Sequence, residues 1–280
     1  MTRTSVVRWC GLLAGCGSLW LALTQQPPAQ PLTVEKVADD LHVILGSGGN
    51  VAVLDTPEGV ILVDDKFERN IPEIVAKVKT LSDKPIRYVL NTHQHGDHTG
   101  GNQKLMEAAV EIIAHRNARA NMAEGGQPGL PRITFSSETA VHLGGKEVRA
   151  LHLGRGHTNG DAVIYFPGHK VVHGGDLFVT GAPFIDYKGG GSGLEWTSTL
   201  DQILKLDFET IIPGHGPVSK REDLTAWKKK FETFRDRVSD LKRQGKSKDE
   251  VAKLLKIDDL GWTPGGLFQR TVPGLYDEVK

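Results

Sequence analysis

The sequence predicts an α/β fold on three observations. Short β-rich runs alternate with stretches of helical period, glycine and proline punctuate the changes between them, and the side chains best suited to bind metal fall where β-rich runs stop. In open α/β sheets that position is where ligands gather.

Leu41 to Leu45, Val51 to Asp55 and Val60 to Val63 are β-rich runs separated by Gly46-Ser47-Gly48-Gly49 and by Thr56-Pro57-Glu58-Gly59, which predicts an antiparallel meander. Ile71, Ile74, Val75, Val78 and Leu81 then recur at helical spacing, and a strand from Ile86 to Leu90 follows. A helix is expected over about Asn102 to Ala109. The second half repeats the scheme with strands at Val148 to Leu153, Ala162 to Phe166, Lys170 to His173 and Thr210 to Ile212. Beyond Pro217, Leu224, Trp227, Phe231, Phe234, Val238 and Leu241 recur three or four apart among charges, predicting a long amphipathic helix. A second helix is expected over Lys248 to Lys256, then an irregular end containing Trp262, Pro264 and Pro273, since proline interrupts helices. Two glycine-rich segments, 46–50 and 188–193, read either as flexible loops that move over a substrate or as ordinary surface loops.

A chain of 280 residues with 24% charged and 39% hydrophobic side chains has the makings of a globular enzyme. Lys plus Arg and Asp plus Glu number 34 each, so no net field recruits nucleic acid or an anionic membrane; a small-molecule substrate is the expected partner. Arg3 and Arg8 precede the apolar stretch Trp9 to Leu23 and the Pro-rich run Thr24 to Pro31, a pattern that predicts export to the periplasm or outside the cell. The alternative is a lipid anchor at Cys16, in Leu13-Ala14-Gly15-Cys16. Cys10 and Cys16 are the chain's two cysteines, so the expected folded body has neither disulfide nor thiolate ligand. No later segment is long and apolar enough to span a membrane. The expected organisation is an export signal and linker over 1–31, a catalytic domain over 32–220 and a helical extension over 221–280 packed on the core.

His93-Gln94-His95-Gly96-Asp97-His98 places three imidazoles and a carboxylate within six residues. Neutral imidazole and carboxylate are good donors for zinc, and suit iron or manganese as well; this density in one loop can supply two adjacent ions. His157, Asp176 and His215 each lie near a strand end beside glycine. Taken singly they read as turn or capping residues, and their recurrence after the cluster makes them candidate ligands. His42, His115, His142, His152, His169 and His173 lack that setting and read as surface or core histidines.

The motifs Thr92-His93-Gln94-His95-Gly96-Asp97-His98-Thr99-Gly100-Gly101, Gly156-His157-Thr158, Gly174-Gly175-Asp176 and Pro213-Gly214-His215-Gly216 resemble, in order, those of the metallo-β-lactamase fold superfamily. The resemblance covers about residues 33 to 220 and implies an αβ/βα sandwich: two mixed β-sheets back to back, helices outside, and the metals along one edge. It implies a dinuclear zinc hydrolase acting through a metal-bound hydroxide. His93, His95 and His157 would hold the first ion, Asp97, His98 and His215 the second, with Asp176 between them and Asp97 relaying a proton. Thr158, Asn159, Asp161 and Asp64 are candidates to fix the imidazoles from behind. The implied substrate carries an ester, thioester, lactone or amide bond, β-lactams included. The best-known β-lactamases of the superfamily carry Cys where Asp176 stands, and a lysine soon after it; this chain has neither, and looks more like glyoxalase II and its relatives. The alternative within the fold is a mononuclear iron oxidoreductase of the persulfide dioxygenase type.

Overall fold

Strand residues alternate between two destinations, and that alternation builds the layers. A computed structural model describes residues 31–263 and 265–280; the expected export signal and lipid anchor fall outside the described residues. The first sheet runs, in chain order, through β1 (Thr33–Lys36), β2 (Leu41–Leu45), β3 (Val51–Thr56), β4 (Gly59–Val63), β5 (Ile86–Leu90), β6 (Glu111–His115) and β7 (Ile133–Phe135). Its first four strands form the antiparallel meander. From β4 onward the pairings are parallel, and the crossovers carry α1 (Ile71–Lys79), α2 (Gly96–Thr99), α3 (Asn102–Glu107) and α4 (Arg116–Glu124).

In β3 and β4, Ala52, Leu54, Ile61 and Val63 face one apolar cluster while Val51, Val53, Val60 and Leu62 face another. The second group packs with Ile71, Ile74 and Val78 of α1 and Leu105 of α3. The first packs with Val148, Ala150, Ile164, Phe166, Val171 and Ile212, which belong to a second sheet. That sheet has β8 (Glu138–Leu143), β9 (Lys146–Leu151), β10 (Val163–Phe166), β11 (Val171–Gly175), β12 (Thr210–Pro213) and β13 (Ser219–Lys220), in the order β13-β12-β11-β10-β9-β8. Its β11–β12 pair is parallel and the rest antiparallel, so both sheets are mixed. On its outer face lie α5 (Gly193–Ile203), α6 (Arg221–Arg243), α7 (Lys248–Leu254) and α8 (Gly266–Glu278). Trp196 of α5, Trp227, Phe231 and Phe234 of α6 and Leu275 of α8 share one cluster with Val163, Val172 and Ile211 of this sheet. The result is an αβ/βα sandwich.

One expectation fails. The end of the chain is helical through Pro273, not irregular. Proline costs a helix interior about 3 kcal/mol, through a lost hydrogen bond and a clash. Phe268, Val272, Leu275 and Val279, spaced four, three and four apart, are buried in the outer cluster. At about 1.5–3 kcal/mol per buried side chain their burial outweighs the proline.

Candidate metal centre

The six-residue cluster is split in two by one turn of helix. His93 lies in a bend that follows β5, and His95 occupies the N-cap of α2 with φ −67° and ψ 142°. The helix then begins, each residue turning the next side chain by about 100°. Asp97 and His98 consequently join a different group from His93 and His95. His157 arrives from the β9–β10 connection, Asp176 from the end of β11 and His215 from the end of β12. Gly49 and Gly214 permit the closeness: a Cβ at Gly49 would lie 2.2 Å from the His98 ring, and one at Gly214 would lie 2.0 Å from Asp176 Oδ1.

The structure places the seven predicted side chains in two adjoining groups, His93, His95, His157 and Asp176 in one, Asp97, His98 and His215 in the other. In the first, His93 Nε2 and His157 Nε2 lie 3.1 and 2.9 Å from His95 Nδ1. In the second, His98 Nε2 lies 3.3 Å from His215 Nε2, and Asp97 Oδ2 is 3.3 Å from His215 Nε2. The Asp176 carboxylate stands between: Oδ2 is 3.6 Å from His157 Nε2 and 4.0 Å from His93 Nε2, while Oδ1 is 3.3 and 3.5 Å from His98 and His215 Nε2.

Outward hydrogen bonds decide which nitrogens face inward as bare lone pairs. His157 Nδ1–H donates to Phe184 O at 2.7 Å, and His95 Nε2–H to Asp186 Oδ2 at 3.0 Å. His98 Nδ1–H donates to Asp64 Oδ2 at 2.7 Å. The Thr92 hydroxyl donates to Asp64 Oδ2 at 2.8 Å, so its oxygen accepts from His93 Nδ1–H at 3.0 Å. Three lone pairs in the first group therefore point at one another with no proton between them. Neutral imidazoles have no reason to hold that arrangement unless a cation sits among them. Asp176 Oδ1, buried and without a well-aligned hydrogen bond despite its imidazole neighbours, adds a second sign. The donor set thus fits divalent metal.

Charge divides the same way. Burial, with neighbouring imidazoles, holds His93 well below its usual pKa and His157 down at about 4. Burial pushes His98 and His215 the same way, but Asp176 overrides it, raising His98 well above the usual value, with help from Asp64, and His215 to about 9. Against burial, the His215 hydrogen bond and the His98 charge bring Asp97 down to about 2.

Sequence reasoning missed Asp186 and the Phe184 carbonyl. Asp186 Oδ1 accepts from Gly189 N–H at 3.0 Å, a turn bond that accounts for an Asp before glycines and conceals the work of its other oxygen. Of the supports proposed from sequence, Asp64 does contact His98. The Asp161 carboxylate instead accepts from Gly156 N–H, Thr158 N–H and the Thr158 hydroxyl, shaping the loop that carries His157. The Asn159 amide meets Asn121, again away from the imidazoles. His173 Nε2–H donates to Asn50 O, facing the first sheet, where it is a satisfied core residue.

Both glycine-rich segments expected to move are tied down. Gly49 N–H donates to Asp97 O, Asn50 N–H to Gly214 O, and the Asn50 amide to Pro213 O and Gly216 O. Lys66, wholly buried, donates from Nζ to Gly49 O at 2.6 Å. In the other segment, Gly191 N–H donates to Asp186 O, Ser192 N–H to Gly156 O, and Ser192 caps α5. Glycine serves close approach here. The centre opens on a cavity of about 670 Å³ whose apolar lining is Phe67, Val179, Ala182 and Phe184. Trp196 is core, its Nε1–H donating to Leu177 O.

A sequence profile described as the Metallo-beta-lactamase superfamily matches residues 45–215. The chain is 29% identical over 178 residues to "Metallo-beta-lactamase type 2" of Bacillus cereus, an alignment covering 61% of this chain and 68% of that one. It is 28% identical over 151 residues to "2,4-dinitroanisole O-demethylase subunit alpha" of Nocardioides sp. (strain JS1661), covering 51% of this chain and 46% of that subunit. Among solved structures, a metallo-beta-lactamase from Pontibacter korlensis superposes with a TM-score of 0.62 at 22% identity, over 69% of this chain and 95% of that one. The DIM-1 metallo-beta-lactamase gives 0.66 at 20% identity, over 73% and 99%. At such identities the structural likeness speaks for the fold alone.

Proposed function

The chain belongs to the metallo-beta-lactamase superfamily, and on that premise we propose that it is a zinc-dependent hydrolase with a two-ion centre. His93, His95, His157 and Asp176 would hold one ion, and Asp97, His98 and His215 the other, with Asp176 shared. The observation that carries this reading is the convergence of imidazole lone pairs beside the under-satisfied Asp176 Oδ1.

When bound, such ions polarise a carbonyl and ease the deprotonation of water. The chain's own residues do the rest. Asp97, ionised across the neutral range and lining the cavity, orients the attacking water and relays its proton to the leaving group. Phe67, Val179, Ala182 and Phe184 exclude bulk water and receive the acyl portion of the substrate. The proposed substrate class is an ester, thioester, lactone or amide, with a β-lactam as one member. No lysine or arginine lines this cavity among the described residues, which favours substrates whose buried portion is uncharged.

Metal analysis of the purified protein, with assays on a chromogenic β-lactam, a thioester and a lactone, tests the proposal. Two zinc ions with turnover of at least one substrate are expected. A single iron with oxygen uptake would replace the proposal by an oxidoreductase, and failure to bind metal would end it. We further propose export through the N-terminal segment, with residues 32–220 as the catalytic unit. Recovery of a mature chain lacking that segment from the periplasm or medium is the expected result, and retention of an intact N-terminus in the cytoplasm would overturn it.

A further inference from the structure

The first imidazole group depends on a segment with no regular structure of its own. Between β11 and α5 the chain forms neither strand nor helix, yet it supplies Phe184 O to His157 and Asp186 Oδ2 to His95. Backbone bonds from Asp186 N–H to His157 O and from Ser192 N–H to Gly156 O tie its middle to the His157 loop, and α8 fastens both of its ends. At one end, Ile185 N–H donates to Thr271 Oγ1 at 3.0 Å, and the Thr271 hydroxyl lies 3.3 Å from Pro183 O as donor. At the other end, Glu278 accepts from the Tyr187 hydroxyl at 2.9 Å, from Gly193 N–H at 2.8 Å and from the Ser192 hydroxyl. Between these points the Tyr187 ring lies on Gly274, where a Cβ would come within 2.1 Å of it. Thr271, Gly274 and Glu278 follow at spacings of three and four, so one face of α8 makes every contact.

We propose that α8 belongs to the metal centre: Thr271 and Glu278 are positioning residues that, through residues 183–193, aim His157 Nε2 and His95 Nδ1 at the first ion. The proposal rests on the metal reading above and extends it to a helix outside residues 45–215, where the superfamily profile matches. The physical reason is tolerance. Metal–ligand distances must be met within about 0.2 Å, and groups behind the ligands typically change metal affinity about 10–100-fold. The backbone bonds to the His157 loop hold Asp186 N–H and Ser192 N–H, whereas the aim of Phe184 O and of the Asp186 carboxylate depends also on the flanking chain that α8 holds. The competing explanation, that α8 only adds core through Val272, Leu275 and Val279, predicts loss of stability without preference for either ion.

Cobalt(II) titration of the full chain at pH 7, followed by visible absorption and equilibrium dialysis, distinguishes them. His95→Ala and His215→Ala supply the reference spectra of each group alone. Glu278→Ala is expected to weaken the first ion about 10–100-fold while leaving the second within about twofold. Thr271→Val, which keeps the shape and deletes the hydrogen bonds to Ile185 and Pro183, should act in the same direction. Glu278→Gln, which retains an acceptor for Tyr187, should restore part of the affinity. Asp277→Asn removes only the exposed pair with Lys248 on the same helix and should change neither ion. Unchanged affinity in both Glu278→Ala and Thr271→Val, or equal weakening of both ions in step with the thermal midpoint, overturns the proposal. A wild-type chain that takes up no cobalt removes the metal reading itself, and the clamp with it.

Discussion

In the half of the centre built on His93, His95 and His157, burial holds His93 and His157 neutral; in the half built on Asp97, His98 and His215, carboxylates hold both imidazoles protonated. The side-chain types are alike, and their surroundings differ. Partners in the first half include the Phe184 carbonyl and the Thr92 hydroxyl, which leave an imidazole neutral. In the second half Asp64, Asp97 and Asp176 surround two rings. His93 and His157 therefore offer lone pairs to a cation as they stand. The second half must give up protons to take one, because a protonated imidazole has no lone pair to offer.

The largest expected effect breaks both halves at once. Asp176→Asn should cost at least about 1000-fold in kcat and reduce bound zinc below two equivalents, because the shared carboxylate is lost. Full metal content with near-normal turnover would mean that Asp176 is not shared. His95→Ala should likewise abolish measurable turnover. In Asp97→Asn the loss should fall on kcat more than on retention of the first ion, which metal analysis beside steady-state kinetics would show.

A smaller effect sharpens the contrast from behind the ligands. Asp186→Asn should weaken the first ion about 10–100-fold in competition with a chelator and leave the second nearly unchanged. Loss of both in parallel would dissolve the distinction between the halves.

The pH dependence tests the protonation difference directly. His98 and His215 have folded pKa values raised above the unfolded value, that of His215 to about 9. Their ion pairs then stabilise the metal-free fold fully below about pH 6.5; the His215 contribution is lost as pH rises through about 9, and that of His98 as pH passes its own raised value. The thermal midpoint of the metal-stripped protein should fall between pH 7 and about 10, while the loaded protein shows no such fall. A metal-free midpoint that is flat or rising over that range would contradict the protonated second half.

The smallest effect lies outside the centre, where His169 and Lys146 hold Asp40. His169→Ala should leave kcat/KM nearly intact and cost about 1 kcal/mol in denaturant unfolding, since the pair is only partly buried and Lys146 still holds Asp40. A loss of activity equal to that of His95→Ala would mean that the roles are wrongly assigned.

Much of this was legible from local chemistry. The β-rich runs of β2 to β4 with glycine between them announce a meander, and the recurrence of His157, Asp176 and His215 beside glycine near strand ends announces candidate ligands. Two things were not legible. Asp186 looks like an ordinary turn residue because one oxygen makes a turn bond, and only the fold brings the other to His95, 91 positions away. Local rules also break α8 at Pro273, and four apolar side chains buried against residues far along the chain reverse that.

The sequence by itself determined the alternation of strands and helices and the set of candidate ligands, because strand period, glycine punctuation and the His93–His98 cluster are encoded among near neighbours; the layers were implied by the resemblance its motifs carry. Tertiary structure alone decided how those candidate ligands divide into two groups, with His93 and His157 held neutral in one and His98 and His215 held protonated in the other, and which helix packs behind the first. Both depend on burial and on hydrogen bonds between residues distant in sequence, and no local pattern records either.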